Sequence, residues 1–343
     1  MSIHAARSID IHAHAVLEEC FGAAGAYGPE LTTAEDGRPL FRVGDYKLHG
    51  VRYRNSPFMD PELRLAAMDK AGIDFQVLSP NPLTYFHFIE PQFAANFCRR
   101  HNEALARVVA RYPERLGGFA ALPMQDVALA AEELRFAVDT LGLWGGYIGT
   151  EFGMRLDSPR LDPFYDLCTT LDVPLFLHPA PAGIDGPPAF PSLEGYDLDL
   201  LTGFAASETL ASATLIFGGV LDRHPRLDVC LSHGGGSVAF LAGRLSAAAR
   251  QRPWSQGALR EPGAFESRLA RLWFDNHVND PASLDLLQQR VGSDRLVLGT
   301  NFAGWDQPVV AHSSGSKLQS DSKSVSLADN ARRLLRQSSL PRS

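Results

Sequence analysis

Two histidines two residues apart open the chemistry of this chain. Ser8-Ile-Asp-Ile-His-Ala-His14 is a short run that reads as a strand with His12 and His14 at its end. Residues two apart on a strand point to the same side, so the two imidazoles leave together, about 6–7 Å apart at the backbone. Nitrogen ligands held that way suit zinc, iron or manganese. Further polar residues stand at the ends of later apolar runs. These are His178 in Leu-Phe-Leu-His-Pro, His233 in Leu-Ser-His-Gly-Gly-Gly, Asp275 with His277, and Asn301 with Asp306 five residues on. Of the 11 histidines, five fall at predicted strand ends, and scattered structural histidines would not cluster so. His101 and His224 lie on predicted helices or their ends and are expected at the surface. His87 sits in the aromatic stretch Tyr85-Phe-His-Phe88, where packing explains it more simply than substrate contact.

The elements that must position these residues alternate. Predicted strands at 74–79, 116–122, 145–148, 173–178, 227–232, 272–275 and 296–300 follow the first. Helical patterns stand between them, among them 91–111, 127–141, 161–171, 238–250 and 281–291. Asp60 is the expected N-cap of a helix starting at Pro61 and ending at Gly72. Apolar rather than alternating strands imply a parallel sheet covered by helices. Eight such units predict an α/β (β/α)₈ TIM-like barrel, whose polar residues at the C-terminal strand ends form the site. An open doubly wound sheet is the alternative, but no G-x-G-x-x-G follows the first strand. Two long insertions, 15–58 and 179–207, are expected as irregular loops roofing the C-terminal face. Their aromatics, Phe21, Tyr27, Tyr46, Tyr53, Phe58, Phe190 and Tyr196, fit either a large apolar substrate or ordinary loop packing. A polar tail begins at about His312 and precedes a last helical pattern, 327–336.

Composition narrows the function classes. The 343 residues are read as a single domain, 45% hydrophobic and 21% charged, values that suit a large packed core. A net charge of −7 argues against nucleic-acid or anionic-membrane partners. No run of about 18 apolar residues is seen, so no transmembrane helix is expected. Met1–Arg7 runs straight into the first strand, leaving no room for a signal peptide. The dispersed Cys20, Cys98, Cys168 and Cys230 read as reduced thiols of a cytoplasmic protein.

Taken together, Ile-Asp-Ile-His-Ala-His, Phe-Leu-His-Pro and Ser-His-Gly-Gly-Gly resemble the amidohydrolase superfamily. The likeness is to the branch holding 2-amino-3-carboxymuconate-6-semialdehyde decarboxylase and the γ-resorcylate and related aromatic-acid decarboxylases. Met59-Asp-Pro-Glu-Leu-Arg64, Tyr112-Pro-Glu-Arg-Leu116, Ala121-Leu-Pro-Met-Gln125 and Gly218-Gly-Val-Leu-Asp222 carry the resemblance beyond the motifs. It implies one divalent metal ion, zinc first and manganese or iron as alternatives, held by His12, His14 and His178. It implies His233 as a catalytic residue that polarises substrate or moves a proton. An arginine, Arg54 or else Arg52, would grip a substrate carboxylate with its bidentate fork. It also implies a homodimer.

One position departs from the family. Its last strand usually ends in Gly-Ser-Asp, but here the residues are Gly299-Thr-Asn301. Asn301 is neutral: it can ligate weakly through oxygen, but cannot act as a base. Three readings follow: Asn301 as a weak ligand, Asp306 of Gly304-Trp-Asp-Gln307 in its place, or a metal-poor site with altered chemistry. Trp305, in the same stretch, is a candidate substrate contact. The expected activity is metal-dependent, non-oxidative decarboxylation of an aromatic or unsaturated carboxylic acid. The alternative is metal-dependent hydrolysis of an ester, thioester, lactone or amide, with His233 or Asp306 as base.

Overall fold

β1 (Ile9–Ala15) is buried along its whole length, as an inner strand of a covered parallel sheet must be. It pairs in parallel with β5 (Phe75–Pro80), with His14 opposite Ser79, and its register slips between Asp10 and Ala13. Irregularities of this kind re-aim side chains, and here one falls at the two histidines. In this computed structural model, residues 2–181, 183–184, 191–304, 306–307 and 326–337 are described. Trp305, most of the polar tail, and part of the second insertion lie outside them.

Between β1 and β5 come β2 (Glu30–Thr33), β3 (Pro39–Val43), β4 (Tyr46–His49) and α1 (Pro61–Ala71). The expectation of an irregular loop is corrected here: β2, β3 and β4 form a separate antiparallel sheet. Glu30 faces Arg42 across it, and their side chains pair. The strands are short and broken by Gly37, Gly44 and Pro39, so they carry no alternation long enough to be read. The α1 boundaries are as expected. The Asp60 carboxylate accepts from the Glu62 and Leu63 amides, and Gly72 closes the helix at φ 69°.

The remaining order is α2 (Pro91–Arg111), β6 (Leu116–Gly118), β7 (Ala120–Ala121), α3 (Val127–Asp139), β8 (Gly146–Ile148), α4 (Asp162–Leu171) and β9 (Leu175–Leu177). Then come α5 (Phe204–Phe217), α6 (Val220–Arg223), β10 (Val229–Leu231), α7 (Val238–Gln251), α8 (Ala264–Leu269), β11 (Trp273–Asp275), α9 (Pro281–Val291), β12 (Leu296–Val297) and α10 (Leu327–Leu334). All barrel pairings are parallel. β6 and β7 are one strand position interrupted at Phe119, where the chain changes partner from Leu78 to Gly145. That makes eight positions, the (β/α)₈ barrel. The ladder is not continuous around the ring. It runs as β1-β5-β6 and β12-β11-β10-β9-β8-β7. At the β1–β12 seam the backbone pairing among the described residues is reduced to the isolated bridges Asp10–Leu298 and Ala13–Phe302. α10 packs over this seam, with Ala328, Ala331 and Leu334 in one buried cluster with Ile9 and Ile11.

The strands alternate as pleating requires. On β9, Leu175 and Leu177 belong to the large buried cluster that takes in the barrel helices, whereas the Phe176 ring lies 5.6 Å from His12. His178, next on Phe176's side, therefore enters the mouth. α5 and the π-helical turn before it form a 19-residue span, Asp199–Phe217, of mean hydropathy 1.4. By length and composition alone it could cross a membrane, but it is not an unbroken apolar run, since it holds Asp199 and Glu208. In the fold it packs on α7 and carries a buried carboxylate, Glu208.

Candidate functional site

The strand ends bring His12, His14 and His178 together. One ring nitrogen from each lies within 4.8 Å of the others, and all three side chains are buried. Ring centroids are 5.1 Å apart for His12–His14, 5.0 Å for His12–His178 and 4.8 Å for His14–His178.

Each ring is fixed by its other nitrogen. His12 Nδ1 lies 2.7 Å from Asp275 Oδ2, His14 Nδ1 3.1 Å from the Pro80 carbonyl, and His178 Nδ1 2.7 Å from the Pro179 carbonyl. Those partners only accept, so each Nδ1 donates and each Nε2 keeps a lone pair turned to the shared space. His12 Nε2 and His14 Nε2 are 3.3 Å apart. Two lone pairs that close repel unless a cation or proton sits between them. Burial and then the neighbouring rings hold His12 and His178 well below the usual histidine pKa, and burial takes His14 down to about 3. Three neutral, oriented, converging imidazoles fit a divalent metal ion.

The supports are buried as well. Asp275 Oδ1 accepts from the Gly234 and His277 amides, each at 3.1 Å. Asp10 accepts from the His12 amide, Gln76 Nε2, and the amide and hydroxyl of Thr300, which ties β1 to β5 and to the end of strand eight. Arg64, buried in α1, donates to Gln76 Oε1 at 3.0 Å and to the His14 carbonyl at 2.6 Å. Burial lowers its guanidinium to about 10, so it stays charged.

His233 stands beside the triad, its ring centroid 5.0 Å from both His12 and His178. Its backbone is left-handed, φ 45°, and the three glycines after it are left-handed too. A Cβ on Gly236 would lie 2.1 Å from the Ala205 carbonyl, so only glycine lets this turn approach α5. His233 Nδ1 lies 2.7 Å from Glu208 Oε1, and the Ser232 hydroxyl donates to the same oxygen. Burial opposes a charge on His233. The Glu208 carboxylate, with Asp275 and Asp306 farther off, overrides it and raises the pKa to about 9.

On the far side, His277 Nε2 lies 2.8 Å from Asp306 Oδ2, and Asn301 Nδ2 donates to Asp306 Oδ1 at 2.6 Å. Burial works to raise Asp306, but those two bonds and the charges of His277 and His233 hold it below the usual carboxylate range. Asn301 thus spends its amide on Asp306. Arg54 is not brought to the histidines: half-exposed, it pairs with Glu18 at 2.7 Å. Arg52 is exposed. Trp305 lies outside the described residues.

Sequence reasoning missed Glu208, which sits mid-helix with no motif around it. It also misplaced His101 and His224, which are buried. His224 is held between Asp162 and Asp166 at 2.9 and 3.0 Å, and His101 points into the core from α2.

The fold and this mouth define a class. The chain belongs to the amidohydrolase family, whose family model matches residues 9–337. The 2-amino-3-carboxymuconate-6-semialdehyde decarboxylase of Dictyostelium discoideum is 35% identical over 245 residues, covering 71% of this chain and 66% of that one. A crystal structure of 2,6-dihydroxybenzoate decarboxylase complexed with 2,6-dihydroxybenzoate matches with a TM-score of 0.67 at 25% identity. That match covers 81% of this chain and 89% of the other. The dihydroxybenzoic acid decarboxylase of Polaromonas sp. JS666, solved with manganese and the inhibitor 2-nitroresorcinol, shares the fold at a TM-score of 0.71 and 22% identity. That match covers 96% of each chain.

Proposed function

We propose that this protein is a metal-dependent, non-oxidative decarboxylase of an aromatic or unsaturated carboxylic acid. The observation that carries the reading is His233, its Nδ1 bonded to the buried Glu208 carboxylate and its ring set against three converging imidazoles. Nδ1 of His12, His14 and His178 each meets an acceptor, so Nε2 of the three would hold the metal. Bound there, zinc or manganese supplies Lewis-acid polarisation of the substrate's carboxylate or an adjacent hydroxyl.

The chain's own residues do the rest. Glu208 takes His233 Nδ1, which leaves Nε2–H to face the reacting carbon. Transfer of that proton to the carbon bearing the carboxylate breaks the conjugation. Cleavage of the bond to the carboxylate then returns its electron pair to the ring or polyene, and CO₂ departs. Asp306, clamped by His277 and Asn301, keeps a negative charge at the mouth that favours the imidazolium. Hydrolysis needs a free base beside a bound water, whereas His233 Nδ1 is taken by Glu208 and Asp306 is already held by His277 and Asn301. Arg54 pairs with Glu18 and Arg52 is exposed, so the reading assigns neither a substrate contact.

The test is product analysis in deuterated water with hydroxybenzoate and carboxymuconate-type acids. The expected products are CO₂ and an acid-free compound carrying one deuterium at the vacated carbon. Release of an acid plus a leaving group, with all carbons retained, would overturn the reading in favour of hydrolysis.

A further inference from the structure

We propose that Glu208 is the positioning residue of the site: a buried carboxylate on α5 that takes His233 Nδ1 and so aims the ring's Nε2 at the triad. The inference rests on the proposed role of His233 as proton donor.

Glu208 is fully buried. One oxygen, Oε1, takes both the His233 Nδ1 and the Ser232 hydroxyl, while Oε2 is buried without a hydrogen-bond partner among the described residues. No arginine or lysine pairs with it there. A carboxylate so buried needs hydrogen-bond donors, and besides the Ser232 hydroxyl the one it meets is His233 Nδ1, at 2.7 Å. The backbone makes the same demand from the other side. His233 occupies a left-handed conformation at the head of a three-glycine turn, which by itself leaves the ring free to rotate about χ1 and χ2. The bond to Glu208 removes that freedom. Phe204, one helical turn before Glu208, closes the other side, its ring 5.8 Å from His233 and 5.5 Å from His178. The apolar helix α5 therefore has a reason to carry Glu208 among its apolar residues.

Proton NMR of the full-length protein reads the pair directly, with or without metal and substrate. The wild type is expected to show a far-downfield, exchange-protected N–H resonance that disappears in His233→Ala and Glu208→Ala and moves upfield in Glu208→Gln. In steady-state assays, Glu208→Ala is expected to lower kcat by roughly 10²-fold with KM within about threefold, and Glu208→Gln to lie between it and wild type. The Glu208→Ala/His233→Ala double variant is expected to be no slower than His233→Ala, since the two act as one unit. If Glu208→Ala does not fold, the resonance shift and partial activity of Glu208→Gln decide the matter. A downfield resonance that survives loss of Glu208, an unchanged kcat, or losses that multiply in the double variant would overturn the proposal. Wild-type protein that shows the resonance but releases no CO₂ would instead sink the decarboxylase reading and leave the pair standing.

Discussion

Asp275 decides which nitrogen of His12 carries the proton. A carboxylate can only accept from Nδ1, so Nε2 is left bare. In Asp275→Asn the amide can donate to Nδ1 instead, which puts the proton on Nε2 and removes one lone pair from the triad. We expect the variant to fold and to bind zinc or manganese about 10–100-fold more weakly, as measured by competition with a chromogenic chelator. Unchanged affinity would mean that His12 is not a ligand. His101 makes a different prediction. It is buried on α2, and burial lowers its pKa to about 4, with Asn102 opposing in part. The unfolded chain, near the ordinary 6.5, then binds more protons than the folded one between those values. Stability therefore falls as pH drops through that window. From pH 7 to pH 5 the share from this residue is about 2 kcal/mol. Urea titrations of wild type and His101→Leu at both pH values check it, the variant losing less on acidification.

At the scale of elements, the strand ends and most of the helices between them were legible, but not which helix side chain reaches the site. A histidine at the end of an apolar run is visible because the run ends where the mouth begins, and His12, His14, His178, His233 and His277 all stood out that way. Glu208 did not, since it reaches His233 from 25 residues upstream, across a contact that only the packing of α5 against the turn creates. The β2–β4 sheet was hidden by short strands between turn residues, and Arg54 looked available because Glu18, its partner, lies 36 residues earlier. The turn after β10 carries the element-level prediction. Gly236→Ala puts a methyl group against the Ala205 carbonyl at φ 65°. Relief requires the turn and α5 to part, which also separates His233 from Glu208. We expect a loss of about 1–3 kcal/mol in stability together with a fall in kcat. A loss of stability with kcat intact would show that the turn does not place His233.

For the whole molecule, the barrel gathers three histidines from two strand ends and two carboxylate–imidazole pairs around them, and the seam between β1 and β12 is where the ladder is thinnest. Asp10 crosses that seam to Thr300, so the site itself helps join the first strand to the last. Metal in the triad is therefore expected to stabilise the entire fold, raising Tm with metal concentration as binding to the folded state alone requires. A Tm indifferent to zinc and manganese would detach the site from the fold. The most direct test of the central claim is elemental analysis of the purified full-length protein beside His178→Ala. The account predicts one divalent transition-metal ion per chain in the wild type and its loss in the variant. Protein that remains free of metal after incubation with zinc or manganese, or a His178→Ala variant that keeps it, would contradict the claim that these three histidines form the metal centre.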